Sequence, residues 1–365
     1  MLGADLISTI RRALHPILFK TELPKTPKRI LVCNGAHMGD MVISSAVIQS
    51  IQDAYPEAEL GVLTGSWAKP VLESTTIQTK WVHILDHWKL NRGPSTAFRK
   101  YWNYCKQYEV LRSEISELNY DLAIDLYPYF PNSIPLLFAA KIPVRVGYSS
   151  GGFHPLLSHS IDWLPSEKRI VDYQMELAKL ALPKINTSHR SPALKSSSAP
   201  LSDPYIVLHP SSGASGKSWD PAQWTQIIDA FFDYPIIITG HGDADMAIAK
   251  KLVDRRPQVI NQVNKLSWAQ FLATIEHAKV LIAVETVAGH VASAFNTPSI
   301  SLYDGRSQTS LWAPNHEESV LFSPIDQLQA DVVIESAKKK LSPRHTQTEQ
   351  VRPDDYIDGD LEIPL

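Results

Sequence analysis

The stretch Lys279–Asp304, KVLIAVETVAGHVASAFNTPSISLYD, constrains this chain more than any other. Val280–Val284 is an unbroken apolar run, as a strand covered on both faces requires. Glu285 and Thr286 end it. Ala288, Val291, Ala292 and Phe295 then recur at helical spacing, so a helix is predicted from about Val287. Pro298 halts that helix, and Ser299–Tyr303 returns as a strand. Such a unit implies a parallel sheet with helices on its faces. It also leaves unpaired N–H groups at the helix start, in the crevice beyond the strand's carboxyl end. An anion such as a diphosphate is best held there. Glu285, Thr286, Ala288, Gly289 and His290 cluster at this turn. The other reading of the stretch is a buried unit whose turn is merely polar.

With 365 residues the chain exceeds one typical core, so two domains are predicted. Apolar content of 44% and charged content of 20% are those of an ordinary soluble protein. A net charge of −3 gives no pull toward nucleic acid. Cys33 and Cys105 are too few for a disulfide framework, and Cys33 in an apolar strand reads as a reduced core residue of a cytoplasmic protein. No apolar run reaches the roughly 18–20 residues of a transmembrane helix. Arg11 and Arg12 interrupt the apolar start, which argues against a signal peptide. Met1–Lys20 reads as an amphipathic helix, with Leu2, Leu6, Ile10 and Leu14 on one face. That face suits peripheral contact with the inner face of the cytoplasmic membrane, or packing on protein.

After this extension (1–28), a first domain (29–185) alternates strands and helices. Strands are predicted at Arg29–Asn34, Glu59–Thr64, Trp81–Leu85, Tyr120–Leu126 and Val144–Tyr148. Helices are predicted up to Tyr55, over about Thr96–Leu118 and over Val171–Leu182. A linker (186–204) contains His189–Pro200, rich in Ser, Pro and Lys and read as exposed. The second domain (205–325) opens with the strand Tyr205–His209. Asp220 caps and Pro221 starts its first helix, and Pro235–Thr239 is the next strand. Helices follow over Asp243–Arg255 and Lys265–His277. A last helix (326–341) and a polar tail (342–365) close the chain. The alternation implies an α/β fold with parallel, doubly wound sheets.

Asp40 stands at the carboxyl end of the first strand, in the first turn of a helix. A carboxylate there can take a proton from a substrate hydroxyl. It can equally do no more than cap the helix. Gly35 and Gly39 allow close backbone approach, and His37 can assist. In the second domain Ser211, Ser212 and Lys217 lie on the loop Pro210–Ser218, PSSGASGKS. Gly216-Lys217-Ser218 resembles a phosphate-binding loop, but Ser211 stands where its first glycine belongs. With Glu285 as a magnesium ligand, an ATP-hydrolysing protein is the alternative reading. Lys217 can neutralise a phosphate in either case. Asp243 and Asp245 sit at a helix start, where acids favour the dipole, so no metal is assigned. Asp245 can instead bond a ribose hydroxyl.

Taken together, four stretches resemble glycosyltransferase family 9, the bacterial heptosyltransferases of lipopolysaccharide core assembly. They are Arg29–Thr64 with its Gly-Asp turn, Tyr120–Leu126 followed by Val144–Tyr148, His209–Trp224, and the opening stretch. The resemblance implies the GT-B arrangement, two Rossmann-like domains facing a central cleft. It implies inverting transfer of a heptose from a nucleotide diphosphate, ADP-heptose by default, to a glycan or glycolipid hydroxyl, with no cofactor or metal. By position it gives Asp40 the role of base and Lys217 that of stabilising the departing diphosphate. Ser211, Ser212, Asp245, Glu285, Thr286, Ala288, Gly289 and His290 fall on the donor side, and His37 and Gly39 on the acceptor side. The family has Asp where this chain has Glu285 and Gly where it has Val287. A non-catalytic sugar-nucleotide-binding relative is therefore a further alternative.

Overall fold

The computed structural model describes residues 21–166, 168–188, 190–195, 198–212, 218–305, 309–314 and 318–341. The predicted helix Met1–Lys20 and the tail 342–365 lie outside the described residues. The first half comprises β1 (Arg29–Asn34), α1 (Met38–Ala54), β2 (Glu59–Thr64), α2 (Lys69–Glu73), β3 (Trp81–Ile84), α3 (Ala97–Glu117), β4 (Leu122–Asp125), α4 (Ile134–Ala139), β5 (Val144–Tyr148), β6 (His159–Ile161) and α5 (Ile170–Ala181). The second comprises β7 (Ile206–His209), α6 (Pro221–Ala230), β8 (Ile236–Ile238), α7 (Asp243–Val253), β9 (Val259–Asn261), α8 (Trp268–Glu276), β10 (Val280–Val284), α9 (Val287–Phe295), β11 (Ser299–Leu302), α10 (Thr309–Trp312), β12 (Ser319–Phe322) and α11 (Ala330–Leu341).

The strands form two six-stranded parallel sheets, ordered β3-β2-β1-β4-β5-β6 and β12-β11-β10-β7-β8-β9. Each central strand is an apolar run buried on both faces, so helices must cover both sides. In each sheet the strand order reverses beside the first strand, between β1 and β4 and between β7 and β10. A crevice opens at such a switch point, beyond the carboxyl ends of the strands. The edge strands β6, β9 and β12 are absent from the sequence-based expectation. They have three or four residues, mostly half-buried, and so give only a short signal.

Helix α1 is the pivot of the molecule. Met41, Val42, Ala46 and Val47 are buried. The helix packs against α5 of its own domain and against α9 of the other. One hydrophobic cluster therefore runs through both domains, joining Val42 and Val47 to Met175 and to Val291 and Ala292. Burial of each large aliphatic side chain in it contributes roughly 1.5–3 kcal/mol. The exposed linker expected over His189–Pro200 is corrected in part. Pro192 is buried, the Ala193 N–H donates to Ser45 Oγ (2.9 Å), and Thr75 pairs with Leu194 in an antiparallel bridge. The segment after α5 is thus tied to the first domain before it reaches β7.

Candidate functional site

The first-domain side of the crevice rests on a buried polar chain. Asn34, at the end of β1, donates from Nδ2 to Ser44 Oγ on α1 (2.8 Å). Its Oδ1 accepts the Ala36 N–H (3.1 Å). Ser44 Oγ donates to Gln174 Oε1 on α5 (3.2 Å), and Gln174 Nε2 donates to the Leu126 carbonyl beyond β4 (3.3 Å). Such a chain fixes the turn 35–40 against two strand ends and two helices, because each buried polar group needs its partner. A Cβ on Gly35 would meet nothing within 4 Å, so the backbone there borders open space.

Asp40 occupies the third position of α1, and its Oδ2 accepts the His37 N–H (3.1 Å). The capping role considered from sequence is therefore real. It does not exclude the role of base. Desolvation raises the Asp40 pKa to about 6, against the opposing pull of the His37 N–H and the Arg92 guanidinium. A carboxylate with that pKa is mostly ionised at pH 7 and still basic enough to take a proton. Burial and Arg92 together hold His37 neutral, with a pKa lowered to about 4. Trp67 Nε1 donates to the Ala36 carbonyl (2.5 Å), and its ring lies 5.9 Å from that of His37.

Three residues near Asp40 escaped the sequence reading. They are Arg92, from the loop before α3, and Tyr127 and Tyr129, from the loop after β4. The Asp40 charge helps to raise the pKa of both tyrosines, although burial is the larger cause. Asp125 sets their loop by accepting the N–H groups of Tyr127 (3.1 Å) and Ser133 (2.6 Å). Burial lifts Asp125 itself to about 7. A signal existed in YPYFP (Tyr127–Pro131), an aromatic loop directly after a strand's carboxyl end.

On the second-domain side, Thr286 caps α9, with Oγ1 accepting the Ala288 N–H (3.3 Å). Glu285 ends the strand, its N–H donating to the Leu302 carbonyl (2.9 Å). A Cβ on Gly289 would come within 3.1 Å of Pro314 and Ser301, so α9 lies tight on its sheet. Asp245 is buried, accepting from Ser211 Oγ and from the His241 N–H (2.8 Å). It thereby clamps the loops after β7 and β8 together. Gly240 is required above it, since a Cβ there would lie 2.6 Å from Asp245 Oδ2. Ser212 is half-buried beside Ser211. Lys217 lies outside the described residues. Helix α6 starts at Pro221, capped by Asp220, and not at the lysine as a nucleotide-hydrolysing phosphate loop demands.

The two halves meet at Gly39 and His290. A Cβ on Gly39 would stand 3.3 Å from the His290 ring and 3.8 Å from the Val287 Cα. The starts of α1 and α9 thus abut across the crevice, and both present their positive dipole ends there. His290 is buried and neutral, with a pKa lowered to about 4 by desolvation. It can act as a hydrogen-bonding group but supplies no charge. Arg169 and Arg190 also line the space between the domains, with Ile43, His290 and Ser293, and neither was singled out from sequence. Among the described residues, no cluster of His, Cys, Asp or Glu is suited to hold a metal ion.

The family model for glycosyltransferase family 9 (heptosyltransferase) matches residues 109–342, a span that includes three of the four stretches quoted above. The lipopolysaccharide heptosyltransferase 3 of Escherichia coli is 25% identical over 307 residues, covering 78% of this chain and 85% of that protein. Among solved structures, the family 9 glycosyl transferase of Veillonella parvula DSM 2008 superposes with a TM-score of 0.73 at 17% identity, over 88% of this chain and 99% of that one. For the E. coli ADP-heptose lps heptosyltransferase II the TM-score is 0.69 at 19% identity, over 86% and 98%. These superpositions bear out the GT-B arrangement of two Rossmann-like domains.

Proposed function

The chain belongs to glycosyltransferase family 9, and from that premise we propose that it transfers a heptose from a nucleoside diphosphate, ADP by default, to a hydroxyl of a lipopolysaccharide-core acceptor. The observation that carries the reading is the meeting of two helix starts over a carboxylate whose pKa is lifted to about 6. Asp40 takes the proton of the acceptor hydroxyl as its oxygen bonds to the anomeric carbon. The bond from that carbon to the diphosphate oxygen breaks on the opposite face, so the configuration inverts. The nucleoside diphosphate leaves with the bonding electron pair. Its negative charge is met by the N–H groups at the start of α9, capped by Thr286, and by Lys217. The position of a base on one domain and of leaving-group stabilisers on the other supplies the alignment that transfer needs.

The reaction proceeds without a metal in this proposal, with fixed positive charge in its place. Ser211 and Asp245 shape the donor pocket by clamping its loops. Work at the inner face of the cytoplasmic membrane follows from the acceptor class; among the described residues no helix is long and apolar enough to cross a membrane. A thermal-shift panel of ADP, GDP, UDP, CDP and ATP, with magnesium or with EDTA, tests the reading. A ligand at about 100 times its dissociation constant adds roughly 2.7 kcal/mol. Stabilisation by ADP in EDTA is expected. Stabilisation by ATP with magnesium alone would overturn it.

A further inference from the structure

Helix α3 is 21 residues long, yet its buried residues are only Leu111 and Ile115, both in its second half. Its first three turns touch the domain through Lys100, Tyr104 and Gln107, and their other face is open to solvent. They still carry large aromatic side chains: Phe98 is 77% exposed, Tyr101 50% and Trp102 54%. These three fall at i, i+3 and i+4, so they share one face. A contiguous exposed aromatic face on a soluble domain marks a binding surface. Its charge is equally uneven. Residues 87–108 hold Lys89, Arg92, Arg99, Lys100 and Lys106 and no acidic residue, in a chain of net charge −3. Lys106 lies 5.5 Å above the Trp102 ring.

Topology puts this face at the crevice. The helix follows β3 and leads back to β4, so its first turns lie at the carboxyl side of the sheet, where Asp40 sits. Aromatic contacts join the two places. Tyr101 meets Trp88 (6.0 Å), Trp88 stacks on His87 (5.9 Å), and His87 meets Phe130 (6.0 Å) in the loop that carries Tyr127 and Tyr129.

We propose that the first three turns of α3 are a docking face for a bilayer surface rich in anionic headgroups. Phe98 and Trp102 enter the headgroup region, and Arg99 and Lys106 meet the negative charge. The complementary charge selects this occupant, since an apolar protein partner would not call for five cations without an acid. Docked in this way, the enzyme presents its acceptor-side crevice to the lipid from which an amphiphilic acceptor would be drawn. The binding does not depend on the transfer chemistry proposed above.

The test is co-sedimentation of the full chain with vesicles of phosphatidylcholine alone or mixed with phosphatidylglycerol. Donor-nucleotide affinity is measured in parallel by calorimetry. The wild type is expected to bind the anionic vesicles, and less so as salt rises. Phe98→Ser/Trp102→Ser should lower that partition by about tenfold or more. Arg99→Gln/Lys106→Gln should lower it by about fivefold per charge and flatten the salt dependence. Nucleotide affinity should stay unchanged in both variants, because all four positions are solvent-exposed. Equal partition of wild type and aromatic variant would overturn the proposal and move any contact elsewhere, for instance to Met1–Lys20. Absence of wild-type binding to anionic vesicles would overturn it too. Self-association abolished by Phe98→Ser/Trp102→Ser, without lipid binding, would replace the lipid with a second copy of the chain.

Discussion

Asp40 joins two readings that the sequence leaves as alternatives. Its Oδ2 caps the start of α1, and its carboxyl is desolvated enough to sit at a pKa of about 6. Asp40→Asn keeps the size of the side chain and an oxygen that can accept the His37 N–H. Turnover should then fall about 10²–10⁴-fold with donor affinity retained, as loss of a general base predicts. In the wild type, kcat/KM should drop tenfold per pH unit below about pH 6. Stability gives an independent check of the same shift. A folded pKa raised above that of a free aspartate means that the fold binds extra protons between about pH 4 and 6. Stability contributed by Asp40 is therefore lost as pH rises through that window. The Asn variant should melt higher than wild type at pH 8, and should lose that advantage at pH 4. Asp40, Thr286 and His290 were legible in sequence because each sits at a strand-to-helix turn. Arg92, Tyr127 and Tyr129 were not, because only the fold brings them to Asp40 from loops 52 to 89 residues further along the chain. The sequence offered Gly35 and Gly39 alike for close backbone approach, and only the contact geometry singles out Gly39.

Among the elements, α1 and α9 decide whether the two halves of the site meet. A Cβ on Gly39 would already be tight against the His290 ring at 3.3 Å, so a branched side chain there would crowd it. Gly39→Val should push the helices apart and weaken donor binding. Small-angle scattering should show a larger radius of gyration, and an unchanged radius with normal turnover would contradict the role given to this contact. The buried chain through Asn34, Ser44 and Gln174 holds the same helix from below. Asn34→Ala strands Ser44 and the Ala36 N–H, so urea unfolding should register a loss of about 1–3 kcal/mol. The central strands were readable because burial on both faces demands continuous apolar runs. Edge strands β6, β9 and β12 were missed because three or four mostly half-buried residues give too short a pattern. The linker misled for a related reason. Ser, Pro and Lys look solvated in sequence, but Leu194 pairs with Thr75 and Pro192 is buried.

At the scale of the whole molecule, two parallel sheets turn their switch points toward one crevice, and a single hydrophobic cluster crosses it. The alternation of strands and helices was visible in the sequence. The sharing of one core between the two domains was not, since it depends on α1 packing on both sides. The histidines of the crevice, His37, His209 and His290, are all neutral at pH 7, each with a pKa lowered to about 4. These three therefore add no positive charge for a departing diphosphate. Central to the account is a base on the first domain that drives metal-free transfer from a donor held by the second. The most direct measurement is acceptor-dependent release of ADP from ADP-heptose in EDTA, for wild type and Asp40→Asn side by side. The account predicts release by the wild type that requires acceptor and falls at least a hundredfold in the variant. Equal release by both proteins, or none from the wild type until a metal is added, would contradict it.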